Sequence, residues 1–401
     1  MGSYTPGLGR EPVDYFKSYS AQTQAAFYKA EADLIRFGER AAHMPHAEYM
    51  KNTLLGIDAV FAVRMTRNVS LPPVPLIVSY DVADWKYDGD IERCLCTTRP
   101  MLLLPDEFTD ATIEAVRYMQ ALQWVSDIAV EGFKATPATL AQLNDILVNG
   151  KNAAELGNNK YRDAFLPYKK GSAPQDIPAR MRELCDFANG DYFSPLGQAS
   201  VIHHAFERIV PFDSMIDRTG LLFAFMPMFR RKLFTCGFPV PICWGASLEP
   251  EFRKTLKDAS RGEENGESHI HYRERWAAYN ARNTSIAVTI ANMFLQKVEK
   301  LRETWRSTPG LKIPANSALD KLLDLFLAIP RLATKHAASC IGKSYGATNE
   351  ALHQLVKAGI VKEVAIDNRE RIFICEQSTA LIEDFVLELE RISKAATDTE
   401  E

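Results

Sequence analysis

Apolar residues recur at three- and four-residue spacing along most of this chain, and that period predicts helices. Over 13–42 the marks are Phe16, Phe27, Ala30, Leu34 and Phe37; over 48–66 they are Met50, Leu54, Leu55, Ile57, Val60 and Val63. The pattern changes over 67–100. There Pro72, Pro73 and Pro75 precede a β-rich run at 76–80, which predicts a loop and a strand. From 108 onward helices dominate. The spacing predicts them over 108–130, 136–149, 178–189, 195–209, 216–236, 248–260, 271–306 and 318–328. Thr136 and Thr139 offer capping hydroxyls at the start of the second.

Polar breaks with Gly or Pro fall at 158–178, 261–269 and 307–317. After the last break come short helices over 318–328, 331–341 and 345–358. Two strands follow, 361–364 and 371–374, with Asp367 and Asn368 as turn residues. That is the order of a winged helix-turn-helix. The expected fold is mainly α, in five parts. They are an N-terminal helical region with an extended segment (1–107), a helical core (108–306), a linker (307–317), the winged-helix unit (318–390) and a flexible polar tail (391–401). The length of 401 residues fits this division, because single domains seldom grow so large.

Composition narrows the function classes. Apolar residues make up 46% and charged residues 24%, as in ordinary globular domains. The formal net charge of −4 gives no overall positive field for nucleic acid or anionic lipid, so any such contact is local. Seven cysteines without a CxxC pair argue against a zinc site or a disulfide framework and for reduced thiols in a cytoplasm. No apolar h-region opens the chain, and the longest apolar run, 221–229, is too short for a bilayer, so neither a leader nor a membrane span is expected.

The most informative segment is 203–220, which reads HHAFERIVPFDSMIDRTG. It resembles the active-site segment of the Fic (Fido) family of AMP-transferases. In that family a helix ending H-x-x-F-E-x-I leads into H-P-F-x-[DE]-G-N-[GK]-R-x-G-R. His203, Phe206, Glu207, Ile209, Pro211, Phe212, Arg218, Thr219 and Gly220 stand in register. The helices over 114–124, 143–150 and 178–189 resemble others of the Fic core. Tyr161 and Arg162 fall where the family has its target-positioning flap, a small hairpin, and a C-terminal winged helix is a common extension. The resemblance covers roughly 110–375, and more faintly 13–66. It implies a Fic-like core, a bacterial cytoplasmic protein, a protein partner or target and no membrane, with a homodimer and DNA contact through the winged helix as further options.

The same resemblance assigns roles. The motif His is the general base, the acidic residue holds magnesium on the nucleotide, the Gly-rich turn cradles phosphate and the arginines neutralise the leaving pyrophosphate. This chain departs at most of those places. Val210 replaces the His, and Ser214 replaces the metal-binding carboxylate. Met215, Ile216 and Asp217 replace Gly-Asn-Gly, and Leu221 replaces the second Arg. The motif remnant is therefore Val210, Pro211, Phe212, Asp213, Ser214, Asp217 and Arg218, with Arg218, Thr219 and Gly220 as what is left for a nucleotide. No cofactor is required by these residues, and ATP with magnesium would be held weakly. Over 54–67 the chain resembles the family's inhibitory helix, with Ala62 at its Ser/Thr position and Thr66 at its Glu position. The expected function is a catalytically degraded Fic protein that binds or regulates. The alternatives are a transferase using Asp213, Asp217 or His204, and a DNA-binding regulator.

Other groupings read more plainly. His203 and His204 are adjacent on a helix and point apart, which suits packing for the first and surface for the second. His269 and His271 share one face of a strand but lack a third ligand, so no metal site is expected. Segment 342–346 matches G-x-S-x-G, yet a helix precedes it, so it is the turn between two helices. Arg218 either keeps a phosphate site with Asp213 or Asp217 or forms a structural ion pair. Tyr161 and Arg162 either clamp an extended peptide or lie in a solvated loop. Asn349, His353 and Lys357 on the last helix, with Arg369 and Arg371 on the wing, are the nucleic-acid candidates. Counting 320–371 gives eight basic against six acidic residues, thin for a DNA reader.

Overall fold

The most apolar stretch of the chain becomes the centre of the protein. In the computed structural model, which describes residues 18–44, 47–67, 109–149, 161–163, 171–234, 255, 269–365 and 371–398, it lies in a helix over Ile216–Arg230. Every residue of that helix except Asp217 is buried, so it is a core helix on all sides rather than a membrane span. Among the described residues no helix is long and apolar enough to cross a membrane. The preceding helices are α1 (Ala21–Ala42), α2 (Ala47–Arg67), α3 (Thr109–Ile128), α4 (Pro137–Asn149), α5 (Ile177–Asn189) and α6 (Pro195–Ile209). The central one is α7. It packs against α6 most extensively and against α3, α4 and α5. One helix of 38 residues, α8 (His269–Arg306), then runs beside α1 and α6.

The helix limits follow from local chemistry. Ser194 caps α6, accepting from the Gly197 N–H at 2.9 Å, and Pro195 fills the first turn, where no donor is needed. Thr136 caps α4, accepting from the Thr139 N–H at 3.2 Å. The end of α7 is a Schellman turn: Leu233 N–H reaches Met228 O and Lys232 N–H reaches Phe229 O. Lys232 there holds the left-handed φ of 57° that glycine usually takes. This turn stops the helix at Arg230, short of the expected 236.

The C-terminal part contains α9 (Ala318–Ala328), β1 (Arg331–Ala333), α10 (Thr334–Ile341), α11 (Tyr345–Lys357), β2 (Lys362–Ala365), β3 (Arg371–Ile374) and α12 (Glu376–Asp398). Its antiparallel sheet has the order β1-β3-β2, with Leu332 opposite Phe373 and Val364 opposite Ile372. Gly342 ends α10 at φ 62° in a second Schellman turn, so the segment 342–346 is the turn between α10 and α11. Three expectations change. The helix expected over 331–341 begins as a strand, because Arg331–Ala333 completes the sheet on β3. The tail expected from 391 is helical through Asp398. His269 and His271 begin α8 rather than sharing a strand face.

This part is joined to the core by specific contacts. Thr53 of α2 donates to Ala328 O at 3.0 Å, and Arg302 of α8 donates to Asp324 of α9 at 3.1 Å. Phe294 stacks on Phe385 with centroids 4.5 Å apart. The expected strand near 76–80, the helix over 248–260 apart from residue 255, the Asp367–Asn368 turn and the inner part of the flap hairpin lie outside the described residues. The strands described are all in the C-terminal sheet.

Candidate functional site

The motif segment occupies the end of α6, a six-residue loop and the start of α7. Val210 closes α6 in the left-handed conformation (φ 53°, ψ 63°), with its N–H on Phe206 O at 3.0 Å. For a β-branched residue that conformation is strained. Met215 opens α7 with the same φ of 53° and no side-chain cap. Asn144 of α4 pins the far end of the loop, donating to Ser214 O and to Thr219 Oγ, each at 3.0 Å.

Val210 is wholly buried, and what covers it is specific. A Cβ on Gly171 would lie 2.7 Å from Val210 Cβ, so the glycine backbone rests directly on the valine side chain. Arg162, only 3% exposed, donates from Nε to Val210 O at 2.6 Å and from Nη2 to Ser172 O. Its N–H bonds Pro211 O at 3.0 Å, and Ser172 N–H bonds Ile209 O at 3.2 Å. Two short segments thus grip the backbone of 209–211. Arg162 is neither a solvated loop residue nor a donor waiting for a peptide, because its N–H and guanidinium are used inside the chain. Tyr161 leans on Phe212, 5.7 Å between centroids, and Phe212 packs on Phe206.

Arg218 is 1% exposed and turned into the core. It pairs with Glu114 of α3 at 2.8 Å, donates to Ala62 O of α2 at 3.3 Å and touches Met215 Sδ at 3.1 Å. The ion pair therefore involves Glu114, not the sequence neighbours Asp213 or Asp217. Asp213 and Ser214 are exposed, and Asp217 is half-buried in the first turn of α7. Thr219 is buried against Asn144 and donates to Met215 O at 2.7 Å. Gly220 admits Phe206, since a Cβ would meet that ring at 2.8 Å. Thr66 is helical, within α2.

Two neighbouring ionisable groups have raised pKa values. Burial pushes the Tyr161 phenol up to about 12, with Cys185 adding to the shift and Arg182 opposing it. Burial, with Asp186, pushes the Cys185 thiol up to about 12 as well. His203 is buried edge-on to Trp276, 5.6 Å between centroids, and His204 is half-buried beside it. Among the described residues no group of three His, Cys, Asp or Glu could hold a metal ion.

Residues 134–227 match the family model described as Fic/DOC family. The chain carries a Fic/DOC domain. The match runs from just before α4 to Pro227 in α7 and so contains the whole loop described above. No curated protein matches the sequence. Among solved structures, a Fic family protein from Desulfovibrio desulfuricans G20 is 14% identical, with a TM-score of 0.45, covering 87% of this chain and 95% of that one. A Fic-1 fragment from C. elegans is also 14% identical, with a TM-score of 0.47, covering 68% of this chain and 74% of its own.

Sequence reasoning placed the loop of the Fic/DOC domain but missed the residues that close it. Glu114, Asn144, Gly171 and Ser172 were not singled out. Glu114 did carry a signal: it lies on the apolar face of its helix, four residues before the buried Tyr118. Gly171 carried none, because its contact depends on a fold that brings 171 to 210.

The C-terminal candidates lie apart from the Fic/DOC loop. His353 and Lys357 are exposed on α11, and Asn349 is half-buried. Arg371 pairs with Glu363 at 2.7 Å, and His353 Nδ1 lies 3.7 Å from the other oxygen of the same carboxylate. Lys362 pairs with Glu376 at 2.6 Å. Arg369 lies outside the described residues.

Proposed function

We propose that this is a Fic/DOC-domain protein whose motif loop has become a closed structural element, and that it acts by binding a protein partner rather than by transferring AMP. The observation that carries this reading is the cover on Val210. The general-base position holds an isopropyl group, and Gly171 and Arg162 seal it from a target hydroxyl. Loss of a general base alone typically costs about 10²–10⁴-fold in rate.

The residues present do not fit a magnesium-bound triphosphate. Ser214 offers a hydroxyl where a carboxylate would hold the ion, and the guanidinium of Arg218 is committed to Glu114 and Ala62. Asp217 puts negative charge in the first turn of α7, the end at which peptide dipoles attract an anion. The C-terminal part, read as a winged helix-turn-helix, belongs to the same proposal as a protein-docking unit. Glu363 lies between His353 and Arg371, and Glu376 holds Lys362, which lowers the positive potential a DNA backbone needs.

The test is calorimetric titration of the native chain and of Val210→His with ATP and magnesium, beside incubation with labelled ATP. No heat and no label from either protein is the expected result. Binding by the native chain, or self-labelling, overturns the reading and makes a transferase with a different base the better account.

A further inference from the structure

We infer that Arg162 and Gly171–Ser172 form a two-point clasp that holds the motif loop in a strained conformation, and that this clasp is a releasable device controlling access to the loop. The inference rests on reading 203–220 as the motif segment, but not on the loss of AMP transfer. Three observations carry it, and they pull in opposite directions.

The first is the grip. Four hydrogen bonds tie the two segments to 209–211 and to each other. Arg162 N–H bonds Pro211 O and Arg162 Nε bonds Val210 O; Arg162 Nη2 bonds Ser172 O and Ser172 N–H bonds Ile209 O. Gly171 lets the second segment approach so closely that no other residue fits there without movement.

The second is the strain. Val210 and Met215, one at each end of the loop, both hold left-handed backbone angles that L side chains rarely adopt. Without the clasp, Val210 has reason to leave that region. The third is unmet polar demand. The hydroxyls of Tyr161 and Ser172, one in each gripping segment, are buried and have no hydrogen-bond partner among the described residues. Both would gain by meeting water. Strain and two unsatisfied hydroxyls favour opening; the fork of Arg162 and the Gly171 contact favour closure. A segment balanced in this way is suited to switching.

The experiment is hydrogen exchange on the full chain, comparing native protein with Arg162→Lys and Gly171→Ala. Lysine keeps the charge but cannot reach two carbonyls with one planar group. Alanine pushes the second segment off Val210. Both variants are expected to speed exchange at 161–163, 171–173 and 209–212 by about tenfold or more, the scale of one lost hydrogen bond, while α1, α8 and α9 stay protected. Unchanged exchange in both variants overturns the clasp. So does faster exchange everywhere, which makes Arg162 a rivet of the whole core. Titrating the same variants with ATP and magnesium separates the two readings. Local opening without heat leaves both standing; local opening with nucleotide binding keeps the clasp and overturns the inert pocket.

Discussion

Arg218 and Glu114 are each nearly sealed from water, and a buried charge that loses its partner is more costly than a pair that never formed. Arg218→Met is therefore expected to lower stability by about 3–5 kcal/mol in denaturant titration, with Glu114→Leu in the same chain restoring a good part of it. A loss below about 1 kcal/mol would contradict the structural role given to this arginine. Lys232 makes the opposite case. Its left-handed conformation costs about 1–2 kcal/mol, and glycine would remove that cost at about 0.5–1 kcal/mol of chain entropy. Its bond to Glu131 joins side chains 73% and 83% exposed and offsets little. Lys232→Gly should raise the thermal midpoint slightly; a fall would show that the Schellman turn is held by the side chain. These residues also mark what a sequence conceals. That Val210 is no base is plain from its chemistry, but that Arg218 faces Glu114 depends on how α3 meets α7, and no local spacing records that.

Between helices, Glu31 ties α1 to α6. Its carboxylate accepts from Ser194 Oγ at 2.6 Å and from the Leu196 N–H at 2.9 Å, so a residue far away in sequence completes the cap of the motif helix. Burial raises its pKa above the ordinary 4.5, against the lowering effect of Ser194, Leu196 and Arg231. A group whose pKa is raised on folding stabilises most below its unfolded value and less as pH rises through its folded value. Native protein should therefore lose stability relative to Glu31→Gln as pH climbs from about 4.5 towards neutrality. Thermal melts of both across that range check the sign, and the reverse trend would mean that the cap bonds outweigh burial. Helices were the legible elements. The limits of α6 match the spacing, because Ser194 and Pro195 punctuate it in the sequence itself. The strand Arg331–Ala333 was not legible. Three residues carry no period, and its pairing with β3 joins positions about forty apart. Nor did the polar composition after 390 show that α12 continues to Asp398.

Across the whole molecule, contacts of α9 and α12 with α2 and α8 bind the C-terminal part to the core. Both are expected to melt together in a single calorimetric transition. Two separated transitions would mean that these contacts are weaker than the two cores they join. The face formed by α11, β2 and β3 should show no more than weak, steeply salt-dependent DNA binding, and Glu363→Gln should strengthen it several-fold by freeing Arg371. No change on that substitution would leave DNA out of the account altogether.

The 38 residues of α8 also have a mechanical meaning. At 1.5 Å per residue such a helix is about 57 Å long, and one degree of tilt at one end displaces the other by about 1 Å. Its first turns carry Trp276, which bonds Ser200 O on α6 at 2.8 Å; its last carry Arg302 and Trp305, which hold α9 and α12. One continuous helix thus touches the motif helix near its start and the C-terminal part near its end, so a shift of either end as a rigid body would displace the other.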